Sequence, residues 1–170
     1  MQDTFLLTSC RRAGPDNPTL PLPTPIAQPL IPPSPDLTLA QISFNALSGT
    51  STTEAFRLFG FIHHFQVTVL IDGGSTHNFI QSWVAKYLQL PATQTTPLQV
   101  TVGNGTMLPC EQVCSQTPLS LQGHVFMVDL HVLPISGADI VLGIQWLKQL
   151  GSIVMNYDSL TMQFAYNYNV

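Results

Sequence analysis

The chain has 170 residues, 45% of them hydrophobic and only 8% charged, which is a core-forming composition and excludes a disordered protein. Five Lys and Arg against nine Asp and Glu give a net charge of −4, so nothing here grips nucleic acid through phosphates. Three cysteines (Cys10, Cys110, Cys114), with no secretory signal at the start, fit a reducing, intracellular and cytoplasmic setting, and no apolar run is clean enough for a membrane span.

Residues 1–40 read as a Pro-rich, extended and disordered linker, since the stretch 14–36 holds nine of the fourteen prolines. Proline removes a backbone donor, so such a run cannot pair as a central strand. A docking peptide for a proline-binding module is a second possibility for it. Residues 41–170 form the folded domain.

Within the domain, FRLFGFI (56–62) and FQVTVLID (65–72) predict a hairpin turning at His63-His64. Residues 78–91 change period: Phe79, Ile80, Trp83, Val84, Tyr87 and Leu88 recur at helical spacing, with Asn78 placed to cap and Pro91 beyond the end. LQVTVGNGTMLPC predicts a second hairpin with its turn at Gly103-Asn104-Gly105. TPLSL and HVFMVDLHVL read as two further strands, ADIVLG as a short one, and IQWLKQLG as a short helix. SIVMNYDSLTMQFAY closes the chain as a hairpin turning at Asp158-Ser159. The sum is a mostly-β domain with two short helices.

The segment VLIDGGSTHNFI places a carboxylate, Asp72, at the end of an apolar strand, followed by two glycines and two hydroxyls. A plain turn is rich in the same residues, so the segment alone leaves a hairpin and a catalytic aspartate both open. Other pairings are weaker. Asp72, Ser75 and His77 lie too close in sequence for a serine triad. Cys110-x3-Cys114 with His124 lacks a fourth zinc ligand and reads as strand cysteines, so no metal is expected. Trp83 and Trp146 read as core residues of the two helices, and Asp129 with His131 as a pair on one surface strand face.

Several blocks in order resemble a retropepsin, the aspartic protease of retroviruses and LTR retrotransposons. More narrowly, they resemble the protease region of plant gypsy-type Gag-Pol polyproteins. These blocks are ISFNALSGTST, LIDGGSTHNFI, VTVGNGTMLPC, ADIVLGIQWLKQLG and LTMQF, together covering about residues 41–165.

The resemblance implies a closed β-barrel lobe, one per chain, with Asp72 as the catalytic residue. Gly73, Gly74, Ser75 and Thr76 would form the active-site loop. Val102, Gly103, Asn104, Gly105, Thr106 and Met107 would form the flap over bound peptide. Val141, Leu142 and Gly143 would thread behind the loop. It also implies a homodimer acting on a polypeptide substrate without a cofactor, because one Asp motif supplies half of a proton-sharing dyad. The chain then reads as a piece of a longer polyprotein.

Gly73 departs from the family pattern, which has Ser or Thr there. That hydroxyl bonds across the dimer in the family, so its loss implies a weaker dimer. The alternative function is accordingly a weak or inactive domain, kept as a dimerisation or peptide-binding module.

Overall fold

The computed structural model describes residues 3–10, 38–43, 46–47 and 55–166. Strands β1 (Asp3–Thr8), β2 (Thr38–Ile42), β3 (Phe56–Ile62) and β4 (Phe65–Ile71) come first, followed by β5 (Phe79–Gln81) and helix α1 (Ser82–Tyr87). The long strands β6 (Ala92–Val102), β7 (Met107–Leu121) and β8 (His124–Leu133) lead to β9 (Ile140–Leu142) and helix α2 (Ile144–Leu147). A 3-10 turn, Lys148–Leu150, and the hairpin β10 (Ile153–Asn156) and β11 (Thr161–Tyr166) complete the order. No helix among the described residues is long and apolar enough to cross a membrane.

Eight strands form one sheet in the order β2-β6-β7-β3-β4-β9-β5-β8, and β7 also pairs with β8. That last pairing closes a six-strand barrel through β7, β3, β4, β9, β5 and β8. Alternation along β3 and β4 sends Leu58, Ile62, Val67 and Val69 inward, all fully buried. A second apolar cluster beneath the Asp72 strand gathers Leu70, Phe79, Val100, Leu133 and Val141 with Ile42 of β2. Bulges interrupt the β6–β7 and β7–β8 ladders near Pro97 and at Gln116, which has φ +49°.

The sequence expectations need correction in three places. First, the linker expected over residues 1–40 is strand at both ends. Residues 3–8 pair antiparallel with β11, in register from Asp3↔Tyr166 to Thr8↔Thr161, and residues 38–42 run parallel to β6. Phe5 and Leu7 supply the reason: they alternate with Thr4 and Leu6 and bury in the main core, where Phe5 stacks on Phe164 at 5.5 Å between ring centroids. Residues 11–37, with their prolines, lie outside the described residues.

Second, the predicted helix starts later, and Phe79–Gln81 is a strand. It pairs parallel with β8 and antiparallel with β9. Phe79 and Ile80 are both fully buried, one on each face, and a short apolar run of this kind does not distinguish strand from helix. Asn78 makes no helix cap; Gln81 occupies that position, without a side-chain cap bond.

Third, Trp83 is half exposed, packed edge-on against Phe65, whereas Trp146 is the largest fully buried side chain of the core. TPLSL is no separate strand but the end of β7. The His63-His64 turn and the final hairpin form as expected.

Candidate active site

Asp72 follows directly on β4. Its strand runs parallel to β9 with Ile71 beside Leu142, and the Asp72 N–H donates to the Leu142 carbonyl at 2.9 Å. The barrel ladder therefore continues one residue past the strand and fixes where the carboxylate emerges.

Three donors among the described residues then hold that carboxylate. The Gly74 N–H donates to Oδ1 at 2.9 Å, the Ser75 hydroxyl to Oδ2 at 2.7 Å, and the Ser43 hydroxyl to Oδ2 at 2.6 Å. Ser75 is completely buried. Gly74 is needed for proximity: a Cβ there would sit 3.1 Å from Asp72 Oδ1 and 3.2 Å from Ser43 Cβ.

The loop is anchored from behind by the segment after β9. Ile144 N–H donates to Ser75 O at 2.8 Å and Gln145 N–H to Thr76 O at 3.0 Å. Gly143 N–H donates to Asn78 Oδ1 at 3.0 Å, and Asn78, 1% exposed, donates through Nδ2 to Asp129 O. Val141 and Leu142 are fully buried strand residues of this same segment. Thr76 is tied to β2 as well: its N–H donates to Gln41 O and its Oγ1 accepts from Gln41 N–H, both at 2.9 Å.

Asp72 and Gly73 border a groove of about 560 Å³, lined by Ser43, Phe56 and Ile71 on the barrel side and by Leu147, Ile153, Met155, Tyr157 and Met162 beyond. It presents one carboxylate and two hydroxyls at the edge of an apolar wall. Around Gly73 the space is open, with nothing among the described residues within 4 Å of a Cβ placed there.

Residues 102–107 form a tight hairpin between β6 and β7. Thr101 faces Met107, Gly105 N–H donates to Val102 O at 2.8 Å, and Asn104 Oδ1 accepts from Thr106 N–H at 3.0 Å. Gly105 has φ +86°, a conformation that suits glycine. Gly103 to Met107 are all exposed.

The weaker pairings resolve differently from one another. Ser75 directs its hydroxyl to Asp72, and His77 Nδ1 lies 2.9 Å from Thr76 Oγ1, so Ser75 and His77 do not form the link a serine triad needs. Cys110 and Cys114 are buried in separate core clusters, where burial pushes both thiols up from their usual range.

Asp129 and His131 do not form the surface pair expected. Asp129 Oδ1 accepts from Gln116 N–H, while His131 turns inward against His77, ring centroids 5.3 Å apart. Its Nδ1 is buried without a partner among the described residues. Burial first, and then the His77 charge, pull His131 down to about 4, against a smaller upward pull from Asp129.

A histidine depressed on folding stabilises the fold above its unfolded value of 6.5 and loses that contribution as pH falls toward 4. Denaturant unfolding is therefore expected to show stability dropping across that interval, and His131→Phe to flatten the drop.

Sequence reasoning missed Ser43 and Asn78. A hydroxyl at the end of a strand, and an Asn between a loop and an apolar run, were the only signals each left.

The profile of the family described as Retroviral aspartyl protease matches residues 42–165. Among solved structures, a retroviral protease-like domain of Ddi1 from Leishmania major superposes with a TM-score of 0.50 at 15% identity, covering 67% of this chain and 88% of that one. A retropepsin-like aspartic protease from Rickettsia conorii gives a TM-score of 0.48 at 17% identity, over 66% of this chain and 85% of that one. No curated protein sequence matches at a significant level. Since the family profile spans well over half of the residues, the chain belongs to the retroviral aspartyl protease family.

Proposed function

We propose that this chain is an aspartic endopeptidase that works as a homodimer and cleaves the polyprotein of a gypsy-type LTR retrotransposon, of which it is itself a part. The observation that carries the proposal is the Asp72 carboxylate, held by three donors at the rim of a groove. The order of sequence blocks supports the retrotransposon origin, and an intracellular site of action goes with it.

In the mechanism, Asp72 and its copy share one proton, because two like charges at close range do not both ionise cheaply. The ionised carboxylate takes a proton from a water whose oxygen attacks the scissile carbonyl carbon. The dyad then protonates the amide nitrogen, the C–N bond breaks, and an acid and an amine leave. Residues 102–107 close over the peptide as a flap and exclude bulk water.

Gly73 favours a second reading, a weak or inactive domain that persists as a dimerisation or peptide-binding module. Where the family has a cross-dimer hydroxyl, this protomer has open space. Two missing hydrogen bonds cost about 1–3 kcal/mol of dimer stability, or roughly 5- to 150-fold in the dissociation constant. The unfilled space means that a serine fits without displacing anything in the protomer.

Sedimentation equilibrium of the full chain, with peptide hydrolysis measured on the same samples, tests both readings. Gly73→Ser is expected to tighten the dimer by that factor, and cleavage per protomer to rise with the dimer fraction. Cleavage that stays constant per protomer across monomeric and dimeric samples would contradict the dimeric enzyme. A dimer without cleavage, in either form, would leave the binding module.

A further inference from the structure

Ser43 lies at the end of β2, 29 residues before Asp72, yet its hydroxyl makes the shortest of the contacts to the carboxylate, 2.6 Å to Oδ2. Its position is fixed from both sides. On one side, Gln41 and Thr76 exchange hydrogen bonds that zip β2 onto the active-site loop. On the other, the Ala46 N–H donates to Ser43 Oγ at 3.2 Å. The Ser43 N–H in turn donates to Ser75 Oγ at 3.2 Å.

These two backbone donors each occupy one acceptor position of a serine oxygen. A carboxylate oxygen only accepts, so both serine hydroxyls donate to Asp72 Oδ2. A carboxylate oxygen has two acceptor positions, so Oδ2 is saturated, while Oδ1 carries only the Gly74 N–H among the described residues.

We infer that Ser43 is a positioning residue for the reaction: with Ser75 it saturates Oδ2 of Asp72 and so confines the mobile proton to Oδ1. The inference rests on Asp72 being the reacting carboxylate. A proton on Oδ2 would require one of the two hydroxyls to turn away from the oxygen it now serves. The proton taken from the attacking water, and the one returned to the leaving amide nitrogen, therefore pass through the same oxygen. Without Ser43, Oδ2 has a free acceptor position, the proton divides between two oxygens, and the ionised form loses a charge-assisted bond.

The test compares the unmodified full chain with Ser43→Ala and with Ser43→Thr, which keeps the hydroxyl. Carboxyl ¹³C resonances are followed through a pH titration, with the Asp72 signal identified by its absence in Asp72→Asn. The Asp72 midpoint is expected to differ between the unmodified chain and Ser43→Ala, moving upward with the loss of the hydroxyl donor, and to return in Ser43→Thr. In peptide hydrolysis, Ser43→Ala is expected to lower kcat about tenfold with KM little changed and to move the acid limb of the pH profile upward.

An Asp72 midpoint in Ser43→Ala equal to that of the unmodified chain would overturn the inference, as would unchanged kcat and pH profile. If the unmodified chain hydrolyses nothing, the endopeptidase proposal fails on that result, and the ¹³C titration still decides the role of Ser43.

Discussion

Replacing Gly143 with alanine is expected to destabilise the protein by at least about 3 kcal/mol, with loss of peptide hydrolysis as a consequence. The backbone angles are not the cause, because φ is −96° and ψ is −164°, an extended conformation open to any residue. The cause is contact. A Cβ at this position would lie 2.4 Å from the carbonyl oxygens of both Ser75 and His77 and 3.0 Å from the Ser75 carbonyl carbon.

The loop is held in place on this side. The Ser75 carbonyl accepts from Ile144 N–H, and the neighbouring Thr76 carbonyl accepts from Gln145 N–H. The Gly143 N–H is itself committed to the buried Asn78 side chain. Relief means pulling the segment out from behind the loop and breaking several buried bonds at about 1 kcal/mol each, besides the overpacking. A loss of this size is a large fraction of the 5–15 kcal/mol typical of a domain. Urea unfolding measures it directly. A midpoint near that of the unmodified protein would mean that the segment does not thread behind the Asp72 loop.

Asp72→Asn is expected to act on the opposite property, lowering cleavage about 10⁴-fold while leaving fold and assembly intact. The amide has the shape of the carboxylate. Its oxygen still accepts from Gly74 N–H, and its nitrogen, a donor, takes the place of Oδ2, so the two serine hydroxyls turn their protons away and accept from it instead. What disappears is the group that takes a proton from water and passes it to nitrogen. In a dimer the change also removes the repulsion between two carboxylates, so association should be equal or tighter. Circular dichroism reports on the fold and sedimentation on the assembly state, and peptide hydrolysis reports the loss. Cleavage at an undiminished rate would place the chemistry elsewhere.

Much of this organisation was legible in the sequence because local chemistry and global position agree there. The hairpin alternates along β3 and the first part of β4, and the apolar run ending in Asp72 is a strand whose partners lie on both sides. Gly143 read as part of a threading segment through the resemblance, although the contact that demands glycine is visible only in space.

The misses share a physical origin. Phe79 and Ile80 bury on both faces, so period could not separate strand from helix. The first strand carried a readable alternation of Phe5 and Leu7 against Thr4, Leu6 and Thr8, but the prolines that follow dominated the assignment. Its partner β11 is more than 150 residues away in the chain, a pairing no local pattern encodes. His131 looked like half of a surface pair with Asp129, because alternation does not reveal that the barrel turns this edge of β8 toward His77. Ser43 is one hydroxyl at a strand end, and only the closing of β2 onto Thr76 brings it to the carboxylate.

The central claim is that two copies of Asp72 act as one unit. Mixing unmodified chain with Asp72→Asn chain at constant total concentration, allowing exchange, and measuring peptide hydrolysis tests it most directly. Under a shared dyad, activity falls with the square of the unmodified fraction, since only dimers with two aspartates react. Activity that falls in simple proportion to that fraction would show that each protomer works alone, and would contradict the dyad.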